Sequence, residues 1–537
     1  MAYLLHQLLE RAAEHHSDRP ALRYHDQEWS YADLERQSNQ VARALQDRHV
    51  RRGDRVGIHR AKGLETIAAM YGILKAGAAY VPIDPWAPAE RVARIIADCA
   101  IGVLVTDDAR GRLLERSRFA PTAPLCFIGG AGERFPSLAW DEVFAHPETR
   151  LDVRLTDQDL AYILHTSGST GEPKGMMHTH RSGLAFVEWS TGVFAVRAED
   201  RLANHAPLHF DLSIFDYLSA AWAAASTSIV PEEYTKIPAS LSSFIEQERL
   251  SIWYSVPIAL MQMQARGLLA SRDLSALRLV IFGGEPYPAD RLGELTRSIP
   301  HARFCHVYGV TETNVCTYHF VPLPFETDQP LPVGRICENM EGVVLDADDR
   351  PTNGEGELVV RGAAMMRGYW GQPDGEADCF WHRPSPGGHS DRFYRTGDLV
   401  RPNADGEYVF AGRRDRQVKS RGHRIELDEV QAAIAAEAGI AEAAVYDVPD
   451  GEGSRAIIAA LSLEAGHSWN QPDLVRRLRA RLPAYAVPTR FAVLQKLPRT
   501  SAGKVDWQTL RATDVVGRGL SAQSCRDVAE EAAGRAL

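Results

Sequence analysis

The sequence has few cysteines, and none of them form a closely spaced pair. Seven cysteines occur among the 537 residues; they are scattered along the chain, and their number is odd. Because no Cys-x-x-Cys pair is present, neither a disulfide framework nor a zinc site is supported. We therefore expect free thiols in a reducing compartment.

Long uncharged apolar runs and an excess of basic residues are also absent. No run approaches the roughly 18 apolar residues that a membrane-spanning helix needs. Residues 1–16 carry leucines at helical spacing without a basic start or a cleavage site, so they predict an amphipathic surface helix and not a signal peptide. The formal net charge of −10 gives no reason to expect nucleic acid or a membrane surface as a partner. A cytoplasmic protein is expected.

The pattern along the chain predicts layered α/β architecture. At 537 residues the chain is too long for one compact core, so two or more domains are expected. Helical patterns alternate with strand-like runs, the helices at 31–50 and 64–75 and the runs at 55–59, 78–83, 161–165 and 279–283. Repeated alternation of this kind predicts mostly parallel sheets covered by helices.

The most informative segment is a loop at residues 164–175, LHTSGSTGEPKG, which follows an apolar run. It contains three glycines, four hydroxyl residues and Lys174. Such a loop can surround phosphate oxygens with backbone N–H groups and hydroxyls, while the lysine supplies a point charge. The spacing is not that of a Walker A loop. The segment predicts a phosphate-binding site of another class.

Further motifs follow in order along the chain. They are LKAGAAYVPIDP (74–85), HFDLS (209–213), YGVTET (308–313), GEL and RGYW (356–370), YRTGDL (394–399), GRRDRQVKSRGHRIE (412–426), LPAYAVP (482–488) and LPRTSAGKVD (497–506). In this order, from about residue 10 to 510, the chain resembles the adenylate-forming superfamily. It is most similar to the amino-acid adenylation domains of nonribosomal peptide synthesis.

The resemblance implies two lobes and two half-reactions. Residues 1–414 would form a large N-terminal lobe of layered α/β sheets with a small distorted barrel. Residues 415–512 would form a small, mobile α+β lobe that turns about a hinge near Asp415, and 513–537 would be a tail. A carboxylate would first attack the α-phosphate of ATP, and a pantetheine thiol would then take the acyl group. A few boundary residues can absorb such a rotation.

The same resemblance assigns the nucleotide-binding residues. Lys504 would be the catalytic lysine, a cation placed where negative charge accumulates during phosphoryl transfer. Glu312 would hold Mg²⁺, and Thr311 would lie at the α-phosphate. Tyr308 would stack on adenine, although an isolated tyrosine would be assigned to the core. The remaining ATP-binding residues would be Asp398 and Arg413 at the ribose and Thr166, Ser167, Gly168, Ser169, Thr170, Gly171 and Lys174 at the phosphates.

Asp211 carries the prediction of the substrate class. In the family, an aspartate at this position pairs with the α-ammonium of an amino acid. A buried carboxylate needs a cationic partner, so the ligand should be positively charged there. The alternative is an ordinary helix N-cap, because an apolar helical pattern follows.

By alignment with the family, an apolar and partly aromatic pocket would receive the side chain of the substrate. Besides Asp211, its lining would be Leu212, Phe215, Tyr254, Ile281, Gly283, Val307, Val315 and Cys316, completed by Lys504. An uncharged pocket should accept a small apolar side chain and reject a charged one. The combination resembles the stand-alone prolyl-activating enzymes that supply pyrrole units. L-proline is the expected substrate, with valine, alanine or a modified proline left open.

The sequence contains no carrier-domain or condensation motif. The acceptor is therefore expected to be a separate, acidic peptidyl carrier protein bearing phosphopantetheine. Four arginines at 476, 477, 479 and 481 can attract an acidic helix, and a solvated basic helix face explains them equally well. Other functions remain open: an acyl- or aryl-CoA ligase, a D-alanine-activating enzyme, or a catalytically silent nucleotide-binding protein on the same fold.

Overall fold

A computed structural model describes residues 2–117, 125–166, 173–326, 330–372, 379–384, 388, 390–451, 453–500 and 505–512. They divide into two compact units. The first comprises Met1–Pro85, Val92–His165 and Lys174–Arg414, and the second includes Trp86–Arg91 and the described part of Asp415–Leu537. The predicted tail at 513–537 lies outside the described residues. No described helix is long and apolar enough to cross a membrane.

Helices and strands alternate up to residue 414. The helices are α1 His6–His15, α2 Tyr31–Asp47, α3 Leu64–Lys75, α4 Ala89–Asp98, α5 Asp108–Arg116, α6 Trp140–Val143, α7 His180–Val193, α8 Leu212–Ile214, α9 Ala220–Ala223, α10 Pro238–Gln247, α11 Pro257–Arg266 and α12 Ala289–Ser298. The strands are β1 Pro20–Tyr24, β2 Gln27–Ser30, β3 Arg55–His59, β4 Ala79–Pro82, β5 Val103–Thr106, β6 Cys126–Ile128, β7 Ser137–Leu138, β8 Leu160–Thr166, β9 Lys174–Thr179, β10 Arg201–Asn204, β11 Ser226–Ile229, β12 Ile252–Ser255, β13 Leu279–Gly283, β14 Arg303–Val310, β15 Asn314–Phe320, β16 Arg335–Ile336, β17 Met340–Leu345, β18 Gly356–Gly362, β19 Gly368–Tyr369, β20 Phe380–Pro384, β21 Ser390–Pro402 and β22 Tyr408–Arg413.

The second unit is a smaller α+β arrangement. Its helices are α13 Leu427–Ala435, α14 Gln471–Arg481 and α15 Trp507–Ala512. Its strands are β23 Gln417–Ser420, β24 His423–Glu426, β25 Ile440–Pro449, β26 Arg455–Leu463 and β27 Arg490–Val493. The first two strands pair as a hairpin, and the other three form a sheet in the order β25-β26-β27.

Three sheets organise the first unit. An eight-stranded sheet has the order β19-β9-β8-β4-β3-β5-β6-β7, and a nine-stranded sheet has the order β16-β15-β14-β13-β12-β10-β11-β1-β2. Both have parallel strands at their centre and antiparallel pairs at an edge. The third, β17-β18-β21-β20 with β22 beside β21, is antiparallel. The predicted α/β class is confirmed, and the parallel pairing holds for the sheet centres only.

The nine-stranded sheet is buried on both faces. In β13, Ile281 packs in one core cluster, while its neighbours Val280 and Phe282 pack in another. Successive strand residues point to opposite faces, so a strand covered on both sides needs an unbroken apolar sequence. This explains why LVIFG at 279–283 has no polar alternation. It also decides which residues of each central strand face the candidate pocket.

Candidate active site

The two ends of the predicted phosphate loop lie on neighbouring strands. Thr166 ends β8, and Lys174 begins β9 beside it in the eight-stranded sheet. The ammonium Nζ of Lys174 lies 5.6 Å from the centroid of the Tyr369 ring. The loop residues themselves and the predicted catalytic lysine lie outside the described residues, namely Ser167, Gly168, Ser169, Thr170, Gly171 and Lys504.

Three predicted nucleotide-binding residues meet at a buried carboxylate. Asp398 is 1% exposed. The phenol of Tyr308 donates a hydrogen bond to its Oδ2 at 2.6 Å, and Arg413 donates to its Oδ1 at 2.5 Å. Burial, and then the charge of Asp398, raise the pKa of the Tyr308 phenol well above its usual value. Tyr308 therefore stays a hydrogen-bond donor, and the arginine compensates the buried charge.

Local strand pairing brings these residues together. Asp398 on β21 is the register partner of Arg413 on β22. One residue earlier, the N–H of Gly397 donates to the buried carboxylate of Glu357 at 3.2 Å. Arg395 and Arg414 donate to the other oxygen of Glu357, at 2.7 and 2.6 Å. The two motifs GEL and YRTGDL thus form one ion-paired framework that holds Asp398 in place.

The predicted metal-binding carboxylate lies in a turn at the end of β14. Glu312 is fully buried, and its Oε1 accepts a hydrogen bond of 2.9 Å from the phenol of Tyr369. The hydroxyl oxygens of Tyr369 and Tyr394 lie 3.2 Å apart. Thr311 precedes Glu312 in the same turn. Tyr369 therefore contacts the Glu312 carboxylate through its hydroxyl and lies beneath the Lys174 ammonium with its ring.

The donor set around Glu312 fits a hard cation. Mg²⁺ prefers carboxylate oxygen and is usually shared with substrate phosphates. Elsewhere in the described residues, Asp98, Cys99 and His165 bring ligand atoms within 4.8 Å of one another. That set contains a thiol and an imidazole, which favour softer metals. Glu312 is therefore the better match for Mg²⁺.

Asp211 lies at the start of α8 without capping it. Its side chain makes no capping hydrogen bond to that helix, so the N-cap alternative is not what the structure shows. Burial is the main cause that raises the pKa values of Tyr162 and Tyr254, and the negative charge of Asp211 adds to it, for Tyr162 after the contribution of Tyr80. The carboxylate therefore lies near both phenols. The following turn, π-helical over Phe215–Ser219, carries the next pocket residue.

Most of the other predicted lining residues come from neighbouring strands of the nine-stranded sheet, and Leu212 and Phe215 come from the helical segment after Asp211. Tyr254 is the register partner of Ile281, and Gly283 is the partner of Val307. The ring of Phe215 packs edge-on against that of Tyr254, with centroids 5.8 Å apart. Leu212 and Val315 pack in the same core cluster. A Cβ at Gly283 would lie 2.2 Å from the carbonyl oxygen of Val307, so only glycine fits there.

Cys316 does not join this group. It packs with Tyr308, Val333 and Leu358 in a separate cluster, whereas its neighbour Val315 packs with the pocket residues. The register of β14 and β15 shifts between Tyr308 and Gly309, and Cys316 lies opposite this irregularity. The prediction that Cys316 lines the pocket is therefore not supported by its packing.

Two tyrosines of the site were not assigned from the sequence. Tyr369 and Tyr394 both lie in motifs noted above, RGYW and YRTGDL, but neither had a role. Tyr369 reaches Glu312 because β19 pairs with β9, with Tyr369 opposite Met176. The motif RGYW was the available signal. Tyr369 and Glu312 are 57 residues apart in the chain, so their contact could not be inferred from spacing.

Known proteins resemble this chain over nearly its whole length. The chain matches the AMP-binding enzyme family over residues 9–370 and the AMP-binding enzyme C-terminal domain over residues 429–504. It is 34% identical to the L-proline--[L-prolyl-carrier protein] ligase of Pseudomonas fluorescens, covering 94% of this chain and 98% of that protein. It is also 34% identical to the ligase of the same name from Streptomyces coelicolor, covering 92% and 94%.

A solved structure shows the same fold. The amide bond synthetase McbA from Marinactinospora thermotolerans aligns with a TM-score of 0.83 and 24% identity, covering 95% of this chain and 99% of that chain. The family match covers most of the chain, and the two ligases align over nearly their whole length. The protein is therefore a member of the AMP-binding, adenylate-forming enzyme family.

Proposed function

We propose that this protein is an AMP-forming ligase that activates L-proline and transfers it to a separate carrier protein. The observation that carries the proposal is the Asp211 carboxylate near the buried apolar cluster that contains Phe215 and Tyr254. The carboxylate matches a substrate ammonium, and the uncharged walls match an aliphatic ring. The similarity to two ligases named for proline supports the same choice of substrate.

The proposed reaction has two steps. In the first, a carboxylate oxygen of proline attacks the α-phosphorus of ATP, and pyrophosphate leaves. In the second, the phosphopantetheine thiol of the carrier attacks the carbonyl carbon of prolyl-AMP, loses its proton and displaces AMP. The binding energy of the nucleotide would orient the α-phosphate for the first attack.

Each site residue has a proposed part in these steps. Asp398 would accept hydrogen bonds from the ribose hydroxyls. Hydrogen bonds from Arg413 and Tyr308 hold its carboxylate in a fixed orientation for this role. The Tyr308 ring would stack on the adenine. Lys174 and the loop residues before it would bind the β- and γ-phosphates, with Thr311 at the α-phosphate. Lys504 would be the catalytic cation, delivered by rotation of residues 415–512 about Asp415.

The carboxylate of Glu312 would hold Mg²⁺ together with the phosphates. When bound, the ion would neutralise charge on the phosphate oxygens. The residues do the positioning: Tyr369 donates to Glu312 at 2.9 Å and so orients its second oxygen.

The carrier would be a separate protein, but the arginines of α14 do not identify its docking surface. Arg477 is paired with Asp473 and with Glu437, and Arg481 also contacts Glu437 at 3.5 Å. Arg476 is paired with Asp473 as well. These two carboxylates offset half of the formal charge of the four arginines at 476, 477, 479 and 481. Attraction of an acidic carrier to this face stays a prediction.

Amino-acid-dependent ATP–pyrophosphate exchange tests the proposal. The panel would contain the standard amino acids, salicylate and short fatty acids. Exchange with L-proline well above the others is expected, and a Lys504→Ala variant should lose it. Loading of a phosphopantetheinylated carrier is then followed by intact-mass spectrometry. Preferential exchange with a different small amino acid would refute the assignment of proline but keep amino-acid activation. Preferential exchange with salicylate or a fatty acid would refute amino-acid activation.

A further inference from the structure

A buried histidine connects the strand after the phosphate loop to the turn that carries Glu312. His178 lies in β9 and is 1% exposed. Its Nε2 lies 3.1 Å from the carbonyl oxygen of Thr311, which is 133 residues away in the chain. Its ring stacks on Tyr162, with centroids 4.8 Å apart and an interplanar angle of 12°. The imidazole is thus held in one orientation.

The partners of His178 define its proton arrangement. Burial lowers the pKa of the imidazole to about 4, so the ring is neutral at pH 7. A carbonyl oxygen can only accept, so Nε2 carries the proton and donates to Thr311. Nδ1 lies 3.3 Å from the Ser182 hydroxyl oxygen.

The hydrogen bond from His178 to the Thr311 carbonyl holds the peptide group between Thr311 and Glu312. The Thr311 carbonyl belongs to the same peptide unit as the Glu312 N–H, and peptide units are planar. On the other side, the Glu312 carbonyl accepts from the N–H of Met366 at 2.7 Å. The backbone on both sides of the Glu312 Cα is therefore hydrogen-bonded. Removing the His178 donor would release one side and leave a partly buried carbonyl without that bond.

Strand geometry links the same histidine to the phosphate loop. Lys174 and His178 are four residues apart in β9, so their side chains lie on the same face. Lys174 contacts the Tyr369 ring, and Tyr369 donates to Glu312. One strand thus reaches the Glu312 turn both through Tyr369 and through His178. We propose that His178 is a positioning residue that holds the Thr311–Glu312 turn for the metal–nucleotide complex.

The inference rests on the proposed role of Glu312 at the metal–nucleotide site. It does not depend on the identity of the amino acid. A purely structural histidine would stabilise the fold without affecting metal binding. The test therefore needs a readout of the Glu312 turn itself and a control that loses a comparable buried hydrogen bond elsewhere.

His180 provides the matched control. It is also 1% exposed, burial also lowers its pKa to about 4, and its Nδ1 accepts a hydrogen bond from the backbone N–H of Leu5 at 3.1 Å. The variants are His178→Val, His178→Gln and His180→Val. Glutamine can place an amide N–H near the position of Nε2, so it should retain the bond to Thr311.

The primary measurement is Mn²⁺ affinity in the presence of a non-hydrolysable ATP analogue, without amino acid, by electron paramagnetic resonance. We expect His178→Val to weaken Mn²⁺ binding about tenfold, which is a loss of about 1.4 kcal/mol in binding free energy. His178→Gln and His180→Val should stay within about twofold of the wild type, the usual scatter of near-neutral changes. Hydrogen exchange in peptides spanning 308–316 should rise only in His178→Val.

Four results would overturn the inference. If the folded His178→Val protein bound Mn²⁺ with unchanged affinity, His178 would contribute to core packing only. An equal loss in His180→Val would indicate general destabilisation, and a loss in His178→Gln as large as that in His178→Val would exclude the hydrogen bond as the cause. If the wild type bound no Mn²⁺ with the nucleotide, the proposed metal site would fail as well. If only the assignment of proline as the substrate were wrong, the Mn²⁺ measurement would be unaffected, because it contains no amino acid.

Discussion

Replacing Asp211 by asparagine removes a charge from the candidate pocket while keeping the shape of the side chain. The carboxylate makes no capping hydrogen bond to α8, so the helix start should tolerate the change. Its proposed partner is the ammonium of the substrate. The variant should therefore fold normally and lose affinity for an amino acid, without a comparable effect on ATP.

The expected magnitude follows from the surroundings of Asp211. Removing one partner of a buried, hydrogen-bonded charge pair costs about 2–5 kcal/mol. Asp211 is only half-buried, so the lower part of this range applies, about 2–3 kcal/mol. At 1.36 kcal/mol per factor of ten, kcat/KM for L-proline should fall about 30- to 150-fold. The KM for ATP should change less than about twofold, because the nucleotide residues are not involved.

The assay is ATP–pyrophosphate exchange with L-proline and with cyclopentanecarboxylate, which lacks the ammonium. The wild type should strongly prefer proline, and the variant should lose most of that preference. Asp216→Asn is the matched control. Burial raises the pKa of Asp216 well above its usual value, so its carboxyl is protonated over more of the pH range and asparagine removes less charge. Unchanged proline kinetics in Asp211→Asn, or an equal loss in Asp216→Asn, would refute the ammonium contact.

Three other predictions follow from the buried contacts. Tyr308→Phe removes the 2.6 Å hydrogen bond to Asp398. The free energy of unfolding in urea should therefore fall by about 1.5–3 kcal/mol, and the KM for ATP should rise. If neither quantity changed, the phenol would have no role in ATP binding. Gly283→Ala places a methyl group 2.2 Å from the Val307 carbonyl oxygen, so stability should fall by at least about 1–3 kcal/mol, and an unchanged midpoint in urea would contradict the close approach. Buried histidines have pKa values lowered from 6.5 to about 4, so the unfolded chain takes up protons first and stability should be lost as pH falls from about 6.5 towards 4. They are His59, His178 and His180. Equal urea midpoints at pH 7 and pH 5 would contradict this sign.

Local patterns located several elements closely. The helix predicted at 64–75 and the strands predicted at 55–59 and 279–283 coincide with α3, β3 and β13. The helix predicted at 31–50 ends at Asp47 instead. His49 there adopts a left-handed backbone with φ of 64°, which ends the helix although the polar and apolar pattern continues. Short-range periodicity identifies an element, whereas the backbone at its end depends on the packing of the following turn.

The side-chain contacts of the site depended on the tertiary structure. Tyr308 and Asp398 are 90 residues apart in the chain. They meet only because the strands that carry them are brought together in the folded unit. The motif order showed that both residues belong to a nucleotide-binding family. It could not show that the phenol donates directly to the carboxylate, because that distance depends on long-range packing.

The sequence by itself determined the family and the type of chemistry, because motifs and apolar periodicity are local properties of the chain. The tertiary structure alone decided which of those residues touch. It joined Tyr369 to Glu312 and His178 to Thr311, and it packed Cys316 away from the other pocket residues. The physical reason is strand register: a shift of one residue moves a side chain to the opposite face of a sheet.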